Sequence, residues 1–374
     1  MHLIDTTLFF TPQGGGVPRY LRAKHDWFGR HTTIRHTIVA PGGRDRRGDI
    51  VTVKTWPFLA TYGYRFPIDV LRWQRSILRL QPDLIEAGDA FAPAWAALRA
   101  GNKAGVPVIG FYHSDLVRLT LSRFGSIAAA ATARYVRDLY SRFDLVLAPS
   151  HHVARQLDDI GVHGVLRQPL GVDTEVFHPG RRDPDLRRQL GLADNSRLLV
   201  FAGRFSAEKN VPLLLKAFKK LGDRYHLLLV GGGMRIASQK NVSVIGYQCN
   251  EKRLARLLAS CDALVHAGTQ ETFGLVVLEA MACGIPVVGV EQGGVAELVG
   301  KQHGVLAPAA QADLLAQAID GLYARNIEAV GARARETVMQ CYGWDQVMRS
   351  LMALYRQRAL SSWNAAVREV YACR

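Results

Sequence analysis

Cysteine is scarce and unpaired. Five residues in 374, Cys249, Cys261, Cys283, Cys341 and Cys373, form no C-x-x-C pair, which excludes a zinc ribbon and a dithiol redox centre and points to a reduced, cytosolic compartment. Long hydrophobic runs are missing as well: no stretch reaches about 18 uninterrupted apolar residues, so no membrane-spanning helix is expected. The opening MHLIDTTLFF has no cationic start and places Asp5 inside its apolar stretch, so a secretory leader is not expected either. No run of five or six like charges occurs, which argues against an electrostatic arm. Nor does an aromatic-and-basic stacking strip or a recognition helix stand out, so nucleic acid is not an expected partner. With 48% hydrophobic and 21% charged residues the composition is globular.

What the chain has in excess is positive charge. It carries 47 Lys plus Arg against 32 Asp plus Glu, a formal charge of +15. Residues 1–180 hold 22 basic and 15 acidic groups and the remainder 25 and 17, so the excess is shared rather than concentrated. Most of it is Arg, whose fixed charge and fork of donors suit phosphate. The length exceeds one domain of roughly 100–200 residues and suits two.

Short apolar runs alternate with longer amphipathic stretches, the pattern of βαβ units around parallel sheets. Candidate strands are Thr37–Ala40, Leu84–Glu86, Val106–Phe111 and Leu145–Ala148, then Leu198–Ala202, Leu227–Val230, Ala263–His266 and Val287–Val290. Between the two series GVDTEVFHPGRRDPDLRRQLG, residues 171–191, is rich in Pro, Gly and charge without apolar period, and marks the domain boundary. The expected architecture is α/β, two doubly wound Rossmann-like domains over 1–175 and 190–343, with ligands in a cleft at the carboxyl ends of both sheets. Trp344–Tyr355 reads as a helix with Val347, Leu351 and Leu354 on one face, able to cross back to the first domain with the segment 344–374.

HAGTQETFGLVVLEAMACGIPVVG, residues 266–289, carries the strongest chemical signal. A strand runs into His266, a loop holds Glu271, and a helix runs from near Phe273 to about Cys283, stopped by Gly284 and Pro286. Two readings are open. Glu271 and Glu279 can both reach one elongated ligand while the amides of Gly274 and Leu275 suit a phosphate; or Glu271 complements the helix dipole and Glu279 faces solvent. The apolar neighbours of Glu279 favour burial and hence a partner, which ribose hydroxyls can supply.

In LLVFAGRFSAEKNVPLLLKAF, residues 198–218, a strand ends at Gly203–Arg204 and a loop carries Lys209 before a helix. Arg204 and Lys209 either clamp a pyrophosphate or are surface bases near Glu208. Gly203–Arg204 with Lys209, the E-x7-E pair Glu271 and Glu279, and GVDTEVFHP at 171–179 together resemble the retaining nucleotide-sugar glycosyltransferases of family 4, of GT-B architecture, over nearly the whole chain. That resemblance implies that Arg204 and Lys209 neutralise the donor diphosphate, Glu271 holds the transferred sugar, and Glu279 binds the ribose, with Phe273, Gly274 and Leu275 lining the donor. It implies no metal cofactor, the two cations and the helix start stabilising the leaving group instead. No D-x-D pair stands at a strand end.

TPQGGGVPRYLRA, residues 11–23, resembles the family's G-G-V-x-R-Y loop through Gly15, Gly16, Val17, Arg19 and Tyr20, near donor phosphate and acceptor. In VIGFYHSDL, residues 108–116, His113 is by its position a hydrogen-bonded structural residue, while the resemblance makes it a catalytic one beside the donor sugar. Asp115 either orients an acceptor hydroxyl or caps the next helix, and Ser150 caps the helix that follows it. Two departures concern the donor: Ala267, Gly268 and Thr269 replace a Pro-Ser, and GGGMR at 231–235 replaces G-x-G-P-x.

RFPIDVLRWQRSILRLQ, residues 65–81, sets Val70, Trp73, Ile77 and Leu80 on one helical face and Arg72, Arg75 and Arg79 on another. Such a helix either packs its apolar face into the domain core or lies on an anionic membrane. The stretch Arg118 through Arg142 adds more Arg. The reading that gathers most of these residues is a retaining, metal-independent hexosyltransferase, with a lean to mannose from GDP-mannose over glucose from UDP-glucose. Its acceptor is lipid-linked or a saccharide, met in the cytoplasm or peripherally at the inner membrane face. A nucleotide-sugar epimerase of the same architecture is the alternative, disfavoured by the Arg204, Lys209, Glu271, Glu279 arrangement.

Overall fold

The computed structural model describes residues 1–10, 15–42, 46–47, 49–54, 69–193 and 195–357. Residues 11–14 of the glycine loop, 65–68 of the basic helix segment, and 358–374 of the crossing-back segment, with Cys373, lie outside the described residues. Two compact units form, Met1–Pro169 with Trp344–Arg374, and Leu170–Gly343.

The first unit holds β1 (His2–Thr6), β2 (Arg35–Gly42), β3 (Arg46–Arg47), β4 (Ile50–Lys54), β5 (Leu84–Ala87), β6 (Val108–Phe111), β7 (Leu145–Ala148) and β8 (Leu166–Arg167). Their order is β3-β4-β2-β1-β5-β6-β7-β8, parallel except for the β3–β4 pair. β1, β5, β6 and β7 are buried along their whole lengths, the mark of strands covered on both faces. Around them lie α1 (Gly16–His31), α2 (Val70–Leu78), α3 (Ala92–Ala104), α4 (Leu116–Tyr140) and α5 (His151–Asp159). Asp69, Asp115 and Ser150 cap α2, α4 and α5, each accepting from the amide three residues on. α4 is two helices joined at Gly125, whose φ of 81° no helix interior adopts.

On α2, Trp73 and Ile77 are fully buried in the core, with Val70 and Leu80 packed beside them, and Arg72, Arg75 and Arg79 are exposed. The apolar face of this helix is therefore spent on the domain core, and what it presents outward is charge together with the exposed Leu71.

The second unit holds β9 (Arg197–Phe205), β10 (Tyr225–Gly233), β11 (Val242–Ile245), β12 (Ala263–Val265), β13 (Val287–Val290) and β14 (Gly304–Ala307), all parallel, in the order β11-β10-β9-β12-β13-β14. Its helices are α6 (Leu186–Gln189), α7 (Val211–Leu221), α8 (Glu251–Ala259), α9 (Leu275–Ala282), α10 (Gly293–Leu298), α11 (Ala312–Tyr323) and α12 (Ile327–Cys341). The segment 171–191, rich in Pro and charge, packs onto this unit through buried Phe177 and Leu186, and the change of unit falls at Pro169–Leu170. In each sheet the chain order reverses beside the first strand formed, at β1/β5 and at β9/β12. Open α/β sheets hold ligands at such a point, outside the carboxyl ends of the strands.

Residues 344–357 are helical and count with the first unit, burying Val347, Met348, Leu351 and Tyr355. A charged network joins this helix to the sheet. The fully buried Lys24 ammonium of α1 lies 2.8 Å from Asp5 of β1, 2.9 Å from Glu86 of β5 and 2.7 Å from the Tyr355 hydroxyl. Tyr355 donates in turn to Glu86, and His36 Nε2 lies 2.6 Å from Asp5. Burial pushes the Glu86 carboxyl up. It works the same way on Asp5, but there Lys24 and His36 outweigh it and hold that carboxyl below the usual range.

Candidate active site

The second-unit residues singled out by sequence gather at the β9/β12 switch point. Gly203 and Arg204 are the seventh and eighth residues of β9, and Lys209 ends a 3-10 turn, Ala207–Lys209, closed by left-handed Asn210. The Lys209 ammonium bonds Glu271 Oε1, and His266 Nε2 lies 3.1 Å from the same oxygen. Burial alone would raise the Glu271 carboxyl; the Lys209 charge outweighs it, and with His266 holds Glu271 ionised, well below the usual carboxylate range. Arg204 stands apart from this group: its guanidinium is half exposed and lies 3.4 Å from Glu208. A charge so placed can turn to a phosphate at little cost, since an exposed pair is worth only about 0–1 kcal/mol.

α9 begins at Leu275, two residues later than the sequence suggests, because Gly274 sits at φ 102° and cannot join the helix. No side chain caps this end, so its first amides keep the character of an anion site. Phe273 is buried beside Tyr342, ring centroids 6.3 Å apart. Glu279 lies within α9 and is buried, 4% exposed, which sets aside the solvent-facing alternative. Its charge adds to burial in pushing the Cys283 thiol up to about 12.

Three sets of contacts in this half escaped the sequence. Those of His266 are one, a residue the sequence marks only as the polar end of the apolar run ALV. Gly293–Gly294 is another: the Gly294 amide donates to the Glu271 carbonyl at 2.7 Å, and a Cβ there would lie 2.6 Å from the Thr272 carbonyl oxygen. The third concerns GGGMR. Gly231 pairs in register with Gly203, and a Cβ on Gly231 would land on the Gly203 carbonyl oxygen, so these two strand ends approach too closely for a side chain.

In the first unit, Gly15 precedes α1, a Cβ on it meeting none of the described residues within 4 Å, and Gly16 opens the helix. Arg19 is half-buried. Tyr20 is fully buried, its hydroxyl donating to Glu86 at 3.2 Å and its ring 5.2 Å from that of His113. Its side chain thus supports His113 from behind. His113 lies two residues past β6, stacked on Phe111 at 3.9 Å and buried. Burial, with the Lys24 charge adding to it, pushes its pKa down to about 3, so the imidazole is neutral and can exchange a hydrogen bond but not carry a cation at neutral pH. Asp115 caps α4 through Oδ1 and accepts from Gln156 through Oδ2 at 3.0 Å, which is the capping alternative in atomic detail. Lys24, Asp5 and Glu86 were the residues missed here, although acids inside the buried runs HLIDT and LIEA are the signal that finds them.

Comparison with known proteins converges on one family. Residues 14–176 match the model described as Glycosyltransferase Family 4, and residues 182–336 the model described as Glycosyl transferases group 1. A GDP-mannose-dependent alpha-mannosyltransferase of Mycobacterium tuberculosis (strain CDC 1551 / Oshkosh) is 31% identical over 304 residues, 78% of this chain and 79% of that protein. A GDP-mannose-dependent alpha-(1-6)-phosphatidylinositol dimannoside mannosyltransferase of M. tuberculosis (strain ATCC 25177 / H37Ra) is 27% identical over 97% of this chain and 98% of its own. Among solved structures, sucrose-phosphate synthase from Thermosynechococcus elongatus superposes with a TM-score of 0.81 at 20% identity, covering 95% of this chain and 98% of that one. HepE from Anabaena, in complex with UDP-glucose, gives 0.75 at 19%, covering 96% and 100%. These neighbours are of GT-B type and show that fold for the two Rossmann-like units. With family models matched on both units and a mannosyltransferase at 31% identity, the chain belongs to the family 4 glycosyltransferases and is a hexosyltransferase.

Proposed function

We propose that this enzyme transfers mannose from GDP-mannose, ahead of glucose from UDP-glucose, to a lipid-linked or saccharide acceptor, with retention at the anomeric carbon and without a divalent metal. The observation that carries the reading is the Lys209–Glu271 pair set before the uncapped start of α9. An ammonium and a row of amides meet a leaving diphosphate, and an ionised carboxylate beside them meets sugar hydroxyls. Arg204 adds a second, movable cation. The lean to GDP-mannose is supported by both mycobacterial relatives being GDP-mannose-dependent mannosyltransferases.

In this reading the second unit holds the donor and the first the acceptor. The bond from the anomeric carbon to the diphosphate oxygen breaks while the acceptor oxygen bonds that carbon on the same face. The acceptor proton passes to the leaving phosphate. Glu271 and Glu279 hold sugar and ribose, Lys209 and Arg204 take up the charge on the departing oxygen, and neutral His113 offers a hydrogen bond to donor sugar or acceptor.

Two surface features of the first unit support a lipid-borne acceptor at an anionic membrane. α2 exposes Arg72, Arg75 and Arg79. α4 exposes Phe124 (68%) and Ile127 (88%) on either side of its break at Gly125, with Leu119 and Leu121 also outside and Arg123 between them. Apolar side chains set among Arg suit the boundary between headgroups and acyl chains.

The test is to incubate the protein with GDP-mannose and UDP-glucose in EDTA, with and without membrane lipid, and to follow nucleoside diphosphate release and product stereochemistry. Release in EDTA with an α-linked product is expected. Complete loss in EDTA, an inverted linkage, or an epimerised sugar with no transfer would each overturn the reading.

A further inference from the structure

Glu271 is held by a side chain to which no role has been given. His266 follows β12 directly and is 1% exposed. The Gly268 backbone N–H points at His266 Nδ1 from 3.2 Å. A backbone N–H can only donate, so Nδ1 carries the lone pair and the ring proton sits on Nε2. Nε2 lies 3.1 Å from Glu271 Oε1, to which it therefore donates. Lys209 donates to that same oxygen. One carboxylate oxygen is thus fixed by two donors of different kinds, a mobile ammonium on a long stem and a ring locked at both nitrogens.

The lock requires glycine at 268. A Cβ there would lie 2.8 Å from His266 Cε1, 2.9 Å from the Glu208 carbonyl oxygen and 3.3 Å from Lys209 Cα. The absence of a side chain lets the loop after β12 press against both the imidazole and the turn that carries Lys209. Ala267–Gly268 is also where the sequence departs from the family's Pro-Ser. A serine there would push the ring and the lysine turn apart.

We propose that His266, oriented by the Gly268 amide, is a positioning residue that sets Glu271 for the donor sugar. The inference rests on the donor reading above. Lys209 contributes most to holding Glu271 ionised but does not set its direction, because an ammonium can donate to a carboxylate from many angles. The ring supplies direction: its Nε2–H lies along one line, defined from behind by Gly268. Removing it frees Glu271 to follow Lys209 and leaves the diphosphate contacts intact.

The experiment compares wild type with H266L, H266Q and G268S, measuring kcat and KM with GDP-mannose, GDP affinity by calorimetry, and thermal stability. For H266L, kcat is expected to fall about 10–100-fold, by analogy with losing the hydrogen-bonded partner that orients a metal-ligating side chain, while GDP affinity stays within about twofold. H266Q keeps a donor at the same reach and should recover most of the loss; G268S, with His266 intact, should fall with H266L. An imidazole 15N spectrum, assigned by difference against H266Q, should show Nδ1 unprotonated and Nε2 protonated. Near-wild-type kcat in H266L, loss of GDP affinity in step with kcat, or no recovery in H266Q overturns the proposal, as does a protonated Nδ1. Should wild type turn over neither GDP-mannose nor UDP-glucose, the donor reading falls, and the 15N spectrum still decides the geometry of the lock.

Discussion

Lys24 Nζ lies 2.7 Å from the Tyr355 hydroxyl, joining the helix behind the glycine loop to one that arrives 331 residues later. Two buried carboxylates, Asp5 and Glu86, flank the ammonium. Lys24→Met would leave both without their cation, and stability should fall by about 3–5 kcal/mol, the usual cost of breaking a buried pair from one side. Tyr355→Phe removes one hydroxyl and should cost about 1–2 kcal/mol. Denaturant titration of the two variants measures both, and equal losses would mean that the ammonium is not the centre of the network.

Stability should also carry the signature of His113. The unfolded chain takes up its proton near pH 6.5 and the folded chain only near pH 3. Between those values the unfolded state binds more protons, so stability is full above about pH 6.5 and drains away as pH falls, by up to about 1.4 kcal/mol per unit. Denaturation of wild type and His113→Gln at pH 7.5 and 4.5 should show the smaller drop in the variant. Parallel drops would place the acid sensitivity elsewhere.

Turnover should depend on Lys209 far more than folding does. Lys209→Ala removes a donor aimed at developing phosphate charge, and a loss of about 100-fold or more in kcat is expected. The ion pair with Glu271 is mostly shielded from solvent, so some stability goes with it, but the variant should still fold cooperatively. Unchanged turnover would remove Lys209 from the donor site.

At the ends of β9 and β10 two adjacent glycines should behave differently. Gly231→Ala drives a Cβ onto the Gly203 carbonyl and should destabilise the second unit by several kcal/mol or prevent its folding. Gly232→Ala meets nothing within 4 Å and should be tolerated. Expression yield and thermal melting of the pair check this.

Charge reversal at Arg72, Arg75 and Arg79 tests the membrane surface. All three side chains are exposed, so the triple Glu variant should melt like wild type. It should bind vesicles containing phosphatidylglycerol more weakly, each removed charge counting for about 1 kcal/mol. Equal co-sedimentation of the two proteins would clear α2 of any such role.

Much of this was legible in the sequence because period and punctuation speak plainly in α/β chains. Leu145–Ala148 and Val287–Val290 are strands with the ends the apolar runs suggest. β9 and β10 run on to Phe205 and Gly233, beyond the apolar stretch, since glycine-lined strand ends stay paired without side chains to announce them. Arg204, Lys209, Glu271 and Glu279 were visible as charges at strand ends or inside apolar helices. His266 and the Lys24 network were not. Their meaning lies in hydrogen bonds between residues distant in sequence, or in a backbone amide two residues away, and neither leaves a periodic trace. The face of the last helix shows the same limit: Tyr355 takes the buried place that periodicity gave to Leu354, because its hydroxyl has Lys24 to meet.

The first unit is discontinuous along the chain, and that has a consequence for its birth on the ribosome. When Pro169 leaves the exit tunnel, seven strands around β1 can already pair, yet Lys24 still lacks Tyr355, 186 residues further on. At about 5–20 residues per second the nascent unit waits roughly 10–40 seconds with that pocket open, while Leu170–Gly343 emerges and folds. Completion of the first unit is therefore a late event in the chain's emergence. A truncated transcript ending before residue 344 should yield one finished half and one that chaperones recognise as unfinished.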